Sequence, residues 1–550
     1  MANKIYYYEL AEKKGISFET FLKAYLKEGE GRKLPMSLNE PVFHFVEKFI
    51  EMLTLIKKEG KKVAIVGDYD VDGILATYIM SLLLKYLGIP YVSILPNRFT
   101  DGYGLSTKLV DRAIENECSV IVTVDNGIVA FEACEYAKKQ NIQVIVTDHH
   151  LPSSDGRLPN ADLIIAPTLK NDNIKAPNIC GAFTAFLLAR DVIREAKGSE
   201  RIIQNMAEIA GLATLADQMD LQYENLKIVK YLMSRIKKQK FSNKGLKVLA
   251  QIMNIKLINA TEEDLLFSII PALNATGRME TAEIALNLLT ENEPKNIVKI
   301  CSKIIELNNY RKSYSRKYAD ILINRISDKD INCTISVLDP TRYDKEIDKD
   351  LRGIVGIISA NIVEVNNKPN FTFFKTKDGH YHGSGRSIEG FDLHEFVNSH
   401  KDEFEVLKMG GHSGAMGITI ADEENLDKFR KALNQEKVDL PDVVKPYIKL
   451  STTMNFEEIF EIVNKYGPYG PSHQKPIFVI ETTPQNGIIF GKKHLQFNVT
   501  IFGNLINCIY FFNTELDEIK DKTCNIFFSF TKDSSNKLQL NIEKIEPKEK

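Results

Sequence analysis

Short β-branched runs that alternate with helical stretches constrain the fold of this chain more than any other feature. Four such runs occur, at residues 63–66, 120–124, 144–147 and 163–165. Residues 75–87 and 130–139, which lie between runs, carry apolar side chains at helical spacing. This alternation is typical of βαβ units, so the sequence predicts an α/β domain built on a parallel sheet.

Acidic or histidine side chains follow three of these runs. They are Asp68, Asp70 and Asp72 after the first run, Asp125 after the second, and Asp148, His149 and His150 after the third. Ligands of open parallel sheets bind beyond the carboxyl ends of the strands, so these side chains should meet at one edge of one sheet. A single Asp-Gly pair is more often an exposed turn, whereas three strand ends of this kind favour a functional site.

Three aspartates separated by single residues open the candidate site. If this segment is extended, the side chains of Asp68, Asp70 and Asp72 point the same way and deliver three carboxylates to one spot. Because that much negative charge repels itself, a cation or basic partners must neutralise it. Asp217 closes an apolar helical pattern and is either a further carboxylate of the site or an ordinary helix-end residue.

Aspartates combined with histidine indicate a site for divalent ions, and the histidine favours manganese over magnesium. Two such ions about 3.5 to 4 Å apart can stabilise both the attacking and the leaving oxygen of a phosphoryl group, so the implied reaction is phosphoester hydrolysis. His149 and His150 are adjacent and should point in different directions if the segment is extended. We therefore assign His149 to metal and His150 to a role as acid or phosphate contact.

The chain is long enough for several domains, because its 550 residues far exceed the roughly 150 of one domain. The predicted parts are an N-terminal segment (1–37), a catalytic α/β domain (38–250), a helical linking region (251–328), a second α/β domain (329–435) and a strand-rich domain (436–550). Strand signals in the second α/β domain fall at residues 334–338, 353–357, 371–374 and 416–420. The closely spaced strands of the last part suggest a small barrel or sandwich.

Composition excludes several classes of protein. A formal net charge of -2 argues against a general basic field, so a nucleic acid would bind in a local groove. The longest apolar tract, residues 74–95, is interrupted by Lys85, Gly88 and Pro90 and falls short of the roughly 20 apolar residues of a membrane helix. The first residues do not resemble a secretory signal. The seven separated cysteines are expected to be buried thiols in a reducing cytoplasm.

Several segments together resemble the DHH phosphoesterase superfamily. They are Asp-Tyr-Asp-Val-Asp-Gly at 68–73 and the segments at 97–105, 124–127, 148–150 and 216–217. Further features narrow the resemblance to RecJ-type exonucleases, which are specific for single-stranded DNA. These features are residues 273–279 and 383–387, the Gly-Gly-His-Ser-Gly turn at 410–414, and the strand-rich tail.

The resemblance implies an α/β fold with a DHH domain on a parallel sheet, linking helices, a second α/β DHH-associated domain and a C-terminal OB-like β-barrel. It also implies two bound Mn²⁺ ions, with Mg²⁺ as an alternative. Their implied ligands, with Asp125 bridging, are Asp70, Asp72, Asp125, His149 and Asp217. Asp68 and His150 would be auxiliary catalytic groups, and Asp148 would orient a neighbouring side chain.

The resemblance further implies a set of phosphate-binding residues. Arg278 and His412 would face the scissile phosphate, while Arg98, Ser384 and Arg386 would hold the 5′ phosphate. Guanidinium groups suit this role because they pair bidentately with phosphate oxygens. Each arginine taken alone would more often be a surface ion-pair residue.

The implied function is a manganese-dependent exonuclease that degrades single-stranded DNA from 5′ to 3′ and releases mononucleotides in DNA repair and recombination. A helicase and a single-strand-binding protein are candidate partners, and the enzyme is expected to be a cytoplasmic monomer. The chain contains no tryptophan, so bases would stack on phenylalanine or tyrosine of the tail. Candidates, most of them expected in the core instead, are Tyr469, Phe490, Phe497, Phe502 and Tyr510.

Two alternative functions stay open. A DHH phosphodiesterase that acts on short oligonucleotides, cyclic dinucleotides or polyphosphate would have the same metal site, but the strand-rich tail argues against it. A non-catalytic scaffold that binds single strands would have the same fold, but the complete set of candidate metal ligands argues against it.

Overall fold

A computed structural model of the chain describes residues 16–29, 45–153, 155–169, 178–326, 333–338, 351–376, 378–436, 447–491, 494–511, 513–533, 535 and 537–548. The chain divides into two compact units. The larger unit takes in the described residues from 45 to 219 and from 227 to 436. The smaller unit takes in residues 16–29, 220–226 and the described residues from 447 onward. The predicted domain boundaries near residues 37 and 328 lie outside the described residues.

The first sheet of the larger unit has five parallel strands in the order β2-β1-β3-β4-β5. They are β1 (Val63–Val66), β2 (Tyr91–Ile94), β3 (Val120–Val124), β4 (Gln143–Thr147) and β5 (Leu163–Ile165). All residues of β1 and β3 are buried, as expected for central strands that are covered on both faces. The predicted parallel sheet is therefore confirmed, and its strand order reverses between β1 and β3.

Helices connect and cover these strands. In chain order they are α2 (Val46–Lys58), α3 (Val71–Leu87), α4 (Thr107–Glu115), α5 (Phe131–Lys139), α6 (Gly181–Glu195) and α7 (Glu200–Ala216). Helix α1 (Phe18–Gly29) precedes them and belongs to the smaller unit. Helix α3 is buried along most of its length, and it ends at Gly88, whose left-handed φ of 69° suits a residue without a Cβ.

Helices also fill the described chain between the two sheets. Before the predicted linking region lie α8 (Tyr223–Lys237) and most of α9 (Lys244–Ile252). Within it lie a 3₁₀ turn (Leu257–Asn259), a single turn (Glu262–Asp264), a π-helical turn (Leu265–Ile269), α10 (Ile270–Met279), α11 (Glu283–Thr290) and α12 (Pro294–Ile323). Prolines occupy the first turns of α10 and α12, where a missing backbone N–H is tolerated.

The second sheet has the strand order β6-β7-β8-β10-β9, with one parallel pair, β6 with β7. Its strands are β6 (Thr334–Leu338), β7 (Asn370–Lys375), β8 (Tyr381–Arg386), β9 (Val406–His412) and β10 (Ala415–Ile420). Its helices are a 3₁₀ turn (Leu351–Ile354), α13 (Val355–Asn366), α14 (Leu393–Ser399) and α15 (Glu423–Gln435).

The strand predicted at residues 353–357 is wrong, because this run lies in the 3₁₀ turn and the start of α13. The buried residues of the helix, which include Val355, Ile358 and Ile362, recur at intervals of three and four. That spacing places them on one helical face. A window of five residues is too short to distinguish this pattern from a buried strand.

The smaller unit contains a seven-stranded sheet in the order β11-β12-β16-β17-β15-β14-β13. The strands are β11 (Tyr447–Lys449), β12 (Ile477–Thr482), β13 (Gln485–Phe490), β14 (His494–Ile501), β15 (Asn504–Tyr510), β16 (Cys524–Lys532) and β17 (Leu538–Pro547), with helices α16 (Phe456–Tyr466) and α17 (Leu516–Ile519). Among the described residues no ladder joins β11 to β13, so the predicted OB-like domain is an open sheet here. Its core includes Leu22 and Leu26 of α1.

The candidate stacking residues of the smaller unit differ in how far they are exposed. Tyr469 and Phe497 are buried in the core, whereas Phe502 is 60% exposed and Phe490 and Tyr510 are half-buried. All seven cysteines are buried free thiols, as predicted. None of the helices in the described part of the chain is both long and apolar enough to cross a membrane.

Candidate metal centre and phosphate site

The ends of β1, β3 and β4 bring the predicted acidic and histidine residues together. Three groups of side chains each have ligand atoms within 4.8 Å of one another. The groups are Asp68, Asp70 and Asp125; Asp125, His149 and His150; and Asp72, His149 and Asp217. Because Asp125 and His149 each belong to two groups, the three groups form one continuous cluster. The predicted convergence at one sheet edge is therefore confirmed.

The three aspartates that follow β1 do not form one extended row, so that expectation is wrong. Asp70 is the N-cap of α3, and its side chain accepts a hydrogen bond from the Gly73 amide at 3.1 Å. Asp72 already lies in the first helical turn. The change from strand to helix sends Asp68 and Asp70 to one group and Asp72 to another.

Asp72 is fixed by the first residues of α6. Its carboxylate accepts hydrogen bonds from the backbone amides of Gly181 at 2.6 Å and Ala182 at 2.9 Å. These amides belong to the helix N-terminus, which favours a negative charge. Gly181 also leaves room for Asp125, since a Cβ at Gly181 would lie 2.5 Å from the Asp125 Cβ. Neither Gly181 nor Ala182 was predicted as part of the site.

Asp148 organises the two histidines. Its Oδ1 accepts hydrogen bonds from the amides of His149 at 2.7 Å and His150 at 3.1 Å, and it lies 2.8 Å from His150 Nδ1. Its Oδ2 accepts from the Ile128 amide at 2.9 Å. The backbone thus turns around one carboxylate, and the two imidazole rings lie 4.3 Å apart. The expectation that they point in different directions is wrong because β4 ends at Thr147.

His149 faces three carboxylates. Its Nε2 lies 3.1 Å from Asp125 Oδ1 and 3.8 Å from both Asp72 Oδ2 and Asp217 Oδ2. Burial raises the pKa of Asp125 well above its usual range, with the charge of Asp72 adding to the effect. Burial also raises the pKa of Asp217 to about 8 and lowers the pKa of His149. The protein alone does not balance the charge of this cluster.

Two buried carboxylate oxygens of the cluster also need a partner. Asp68 Oδ1 makes no hydrogen bond to any described residue, and the 3.1 Å approach of His149 Nε2 to Asp125 Oδ1 does not have hydrogen-bond geometry. An unsatisfied buried carboxylate is strongly unfavourable, and a divalent cation that takes oxygen and imidazole ligands would remove the penalty. The donor set therefore fits metal ions of the kind predicted from the sequence.

Arginines gather beside the carboxylates. Burial and the nearby charges of Arg98, Arg386 and Arg311 lower the pKa of Arg278 to about 9, while Asp70 opposes this shift. The Arg278 Nη1 donates to the Gly353 carbonyl at 3.1 Å. Like charges repel when they gather away from water, so this cluster is suited to a polyanion. Arg311, on α12, was not predicted as a member of it.

The predicted 5′-phosphate residues are preorganised by short contacts. Arg386 Nη1 donates to Ser384 Oγ at 2.9 Å and to the Gly385 carbonyl at 2.7 Å. The guanidinium carbon of Arg98 lies 3.9 Å above the centre of the Tyr69 ring. The Arg98 Nε is buried without a hydrogen bond to any described residue. Ser384 Oγ in turn donates to the Met416 carbonyl at 3.4 Å, so these contacts fix the Arg386 guanidinium, while the Arg98 Nε keeps a donor without a described partner.

His412 is connected to this site by strand register. Ala415 of β10 pairs with Arg386 on one side and with His412 on the other. His412 is exposed at the end of β9, and its Nδ1 lies 3.3 Å from the Gly414 amide. Its predicted role at the scissile phosphate stays a prediction.

Two further residues of the quoted motifs support the site. Tyr103 Oη lies 3.2 Å from His150 Nε2. Asn126 Nδ2 donates to the carbonyls of Val66 at 3.0 Å and Val124 at 2.9 Å, and its Oδ1 accepts from the Leu105 amide at 3.0 Å. Asn126 therefore joins the ends of β1 and β3 to the segment at 97–105. Neither residue was predicted as a site residue, although both lie inside segments that resemble the family, at 97–105 and 124–127.

Three family models match the chain in an order that defines the class of protein. The DHH family N-terminal domain matches residues 62–215, the DHHA1 domain matches residues 341–439, and the RecJ OB domain matches residues 449–544. The acidic cluster and the neighbouring arginines lie in the parts matched by the first two models or between them. The fold and site therefore define a DHH-type phosphoesterase.

Curated and solved relatives narrow this class to one family. The single-stranded-DNA-specific exonuclease RecJ of Haemophilus influenzae is 30% identical over 84% of this chain and 83% of its own length. The crystal structure of Thermus thermophilus RecJ in complex with Mn²⁺ covers 97% of this chain and 76% of its own, with a TM-score of 0.77 and 23% identity. A crystal structure of exonuclease RecJ bound to manganese matches 74% of this chain and 97% of its own chain, with a TM-score of 0.60 and 26% identity. The chain belongs to the RecJ family.

Proposed function

We propose that this protein is a manganese-dependent exonuclease that degrades single-stranded DNA from its 5′ end and releases mononucleotides. The observation that carries the proposal is the continuous cluster of carboxylates and histidines beside a group of arginines within one unit. Membership of the RecJ family supports the substrate class, since the H. influenzae relative is named as specific for single-stranded DNA. A role in DNA repair and recombination is consistent with that family.

The ligands proposed for two ions are Asp70, Asp72, Asp125, His149 and Asp217. Bound divalent ions would lower the pKa of a water molecule and stabilise the attacking and leaving oxygens of phosphoryl transfer. Asp125 is the proposed bridging ligand, as the family resemblance implies, and its membership of two of the three groups of ligand atoms is compatible with that role. The count of two comes from the family resemblance, and it is compatible with a cluster in which Asp68 and Asp70 belong to one group of ligand atoms and Asp72, His149 and Asp217 to another. Mn²⁺ is the proposed ion, and Mg²⁺ is the alternative.

His150 is the proposed proton donor. Burial disfavours its charged form, but the hydrogen bond to Asp148 together with the negative charges of Asp148, Asp217 and Asp72 outweighs this effect and raises its pKa to about 9. His150 would therefore carry a proton at neutral pH and could give it to the leaving oxygen. Asp68, whose pKa is raised well above its usual range by burial and by Asp70, is the second proposed auxiliary group.

The direction of cleavage follows from the arginines. Arg98, Arg386 and Ser384 are proposed to hold the terminal 5′ phosphate, and Arg278 is proposed to neutralise the scissile phosphate. If the 5′ phosphate is anchored beside the carboxylates, the bond that reaches them is the next phosphodiester along the strand. Each turnover would then release one nucleotide, and the strand would advance from its 5′ end.

The test uses a single-stranded oligonucleotide with a 5′ phosphate and a 3′ label, with Mn²⁺ present. We expect stepwise shortening from the 5′ end, and we expect Asp125→Asn to abolish it. The matched control is Asp111→Asn, because Asp111 accepts a hydrogen bond from Tyr136 at 2.8 Å on the surface, outside the cluster. Unchanged degradation by Asp125→Asn would refute the proposal.

The same assay separates the two alternatives. Faster cleavage of dinucleotides or cyclic dinucleotides than of long strands would favour a short-substrate phosphodiesterase. Binding of single-stranded DNA without shortening in Mn²⁺ would favour a scaffold. A helicase partner, a single-strand-binding protein partner and a monomeric state stay predictions from the family resemblance.

A further inference from the structure

Helix α10 lies against the aspartate loop, which we define as residues 67–73. The Asn274 Oδ1 accepts a hydrogen bond from the Val71 amide at 3.1 Å. Three residues later, a Cβ on Gly277 would lie only 2.4 Å from the Tyr69 carbonyl oxygen. Because residues three apart share one face of an α-helix, a single face of α10 contacts the aspartate loop at two points.

The Val71 amide, to which Asn274 binds, has no hydrogen-bond partner within its own helix. Val71 is the first residue of α3, and the first four amides of a helix have no partner within the helix. Asp70 caps one of them, that of Gly73. Asn274 therefore supplies a second cap from a different element. Since Asp70 and Asp72 flank Val71 in sequence, this bond fixes the backbone between two proposed metal ligands.

The same helix also carries Arg278, four residues after Asn274 and therefore on the same face. Arg278 is held at its far end by the Gly353 carbonyl. One rigid helical turn thus connects the aspartate loop to the arginine that is proposed to bind the scissile phosphate. Helix α10 would therefore help to set the distance between the carboxylates of the aspartate loop and the Arg278 guanidinium.

We propose that Asn274 is a positioning residue that holds Asp70 and Asp72 in the geometry required for metal binding. The inference rests on the proposed metal-dependent hydrolysis and adds to it a residue that touches neither metal nor DNA. Partners that orient metal ligands commonly change metal affinity or activity by about 10- to 100-fold when they are removed. A cap that served only stability would leave the metal affinity of the folded protein unchanged.

The experiment measures Mn²⁺ binding by the full chain without DNA, by electron paramagnetic resonance of free Mn²⁺, together with kcat and KM for single-stranded DNA. Asn274→Leu keeps the approximate size but removes the acceptor. We expect it to weaken Mn²⁺ binding about tenfold or more and to lower kcat, with KM for DNA unchanged. Asn274→Asp keeps an acceptor oxygen, which caps a helix as well as asparagine does. We therefore expect this variant to bind Mn²⁺ with an affinity within about threefold of the wild-type value.

A matched control separates positioning from stability. Asn243, like Asn274, caps a helix with its side chain: its Oδ1 accepts a hydrogen bond from the Leu246 amide at 2.9 Å at the start of α9. Asn243 is buried. Asn243→Leu should lower the melting temperature but leave Mn²⁺ affinity unchanged. Gly277→Ala perturbs the other contact of α10 with the aspartate loop, at the Tyr69 carbonyl, and it should weaken Mn²⁺ binding even if Asn274→Leu does not fold.

Three results would overturn the inference. They are normal Mn²⁺ binding by folded Asn274→Leu or by Gly277→Ala, a loss in Asn274→Asp as large as in Asn274→Leu, and an equal loss in the Asn243→Leu control. Failure of the proposed function is distinguishable, because a wild-type protein that bound Mn²⁺ but left DNA intact would refute the nuclease and leave the binding comparison valid.

Discussion

Replacing Gly181 by alanine tests whether the position of Asp125 limits catalysis. The added Cβ would lie 2.5 Å from both the Cβ and Oδ1 of Asp125, whereas ordinary contacts begin at 3.4 Å. Either the Asp125 side chain or the start of α6 must therefore move by about 0.9 Å. If α6 moves, the amides of Gly181 and Ala182 move away from Asp72. Both routes disturb proposed metal ligands.

The expected magnitude has two parts. Overpacking of a buried site costs about 1–3 kcal/mol of stability, which should appear as a lower melting temperature. Misplacement of a reacting group by about 1 Å can reduce the rate about 100-fold. We therefore expect Gly181→Ala to remain folded, to bind Mn²⁺ more weakly, and to release nucleotides from single-stranded DNA about 100-fold more slowly at saturating Mn²⁺.

Gly198→Ala is the matched control, since Gly198 lies just beyond the other end of α6. Its Cβ would lie 2.3 Å from the Tyr86 hydroxyl and 2.6 Å from Cγ2 of the buried Ile193, so this substitution also overpacks α6, but at the end away from the carboxylates. This variant should lose some stability but retain activity. Wild-type activity and Mn²⁺ affinity in Gly181→Ala, despite the predicted collision, would refute the reasoning. An equal loss of activity in Gly198→Ala would attribute the effect to general destabilisation.

Three further predictions concern charge. Asp148→Asn weakens the bond that raises the pKa of His150 to about 9, so the alkaline limb of the kcat/KM profile should move to lower pH and the maximal rate should fall about 10-fold or more. The pKa of Asp217 is raised to about 8, so the folded metal-free protein binds more protons than the unfolded chain between about pH 4 and 8. Its stability should therefore fall as pH rises, which thermal melts at pH 5 and pH 8 should show. Mn²⁺ should raise the melting temperature more at pH 8 than at pH 5. Arg386→Gln removes a charge-assisted contact of about 1.5–3 kcal/mol, so the preference for 5′-phosphorylated over 5′-hydroxyl strands should fall by at least about 10-fold, measured as a ratio of kcat/KM values.

The sheet and the convergence of its strand ends could be predicted because both follow from local sequence. Strands β1 and β3 are buried throughout, so their β-branched runs are uninterrupted and easy to read. The rule that ligands bind beyond the carboxyl ends of parallel strands then placed Asp68, Asp125 and His149 at one edge. No long-range information was needed for this step.

The orientation of those side chains could not be predicted in the same way. The change from strand to helix at Asp70 depends on a cap, and the turn around Asp148 depends on three hydrogen bonds to one oxygen. Neither feature has a sequence period. The contacts that hold the aspartate loop join residues 109 positions apart, Asp72 and Gly181, and 203 positions apart, Val71 and Asn274. A local window cannot reveal such pairs.

The packing of α1 in the smaller unit has a consequence for synthesis of the chain. Leu22 and Leu26 share a core with residues of α16 and the C-terminal strands, which the ribosome makes roughly 430 residues later. At the usual 5–20 residues per second, the first helix waits roughly 20–90 s for its partners. During that time its apolar face is open to water or to chaperones. Synthesis of the strands up to β17, and not emergence of the first sheet, would therefore be the step that allows this unit to form its core.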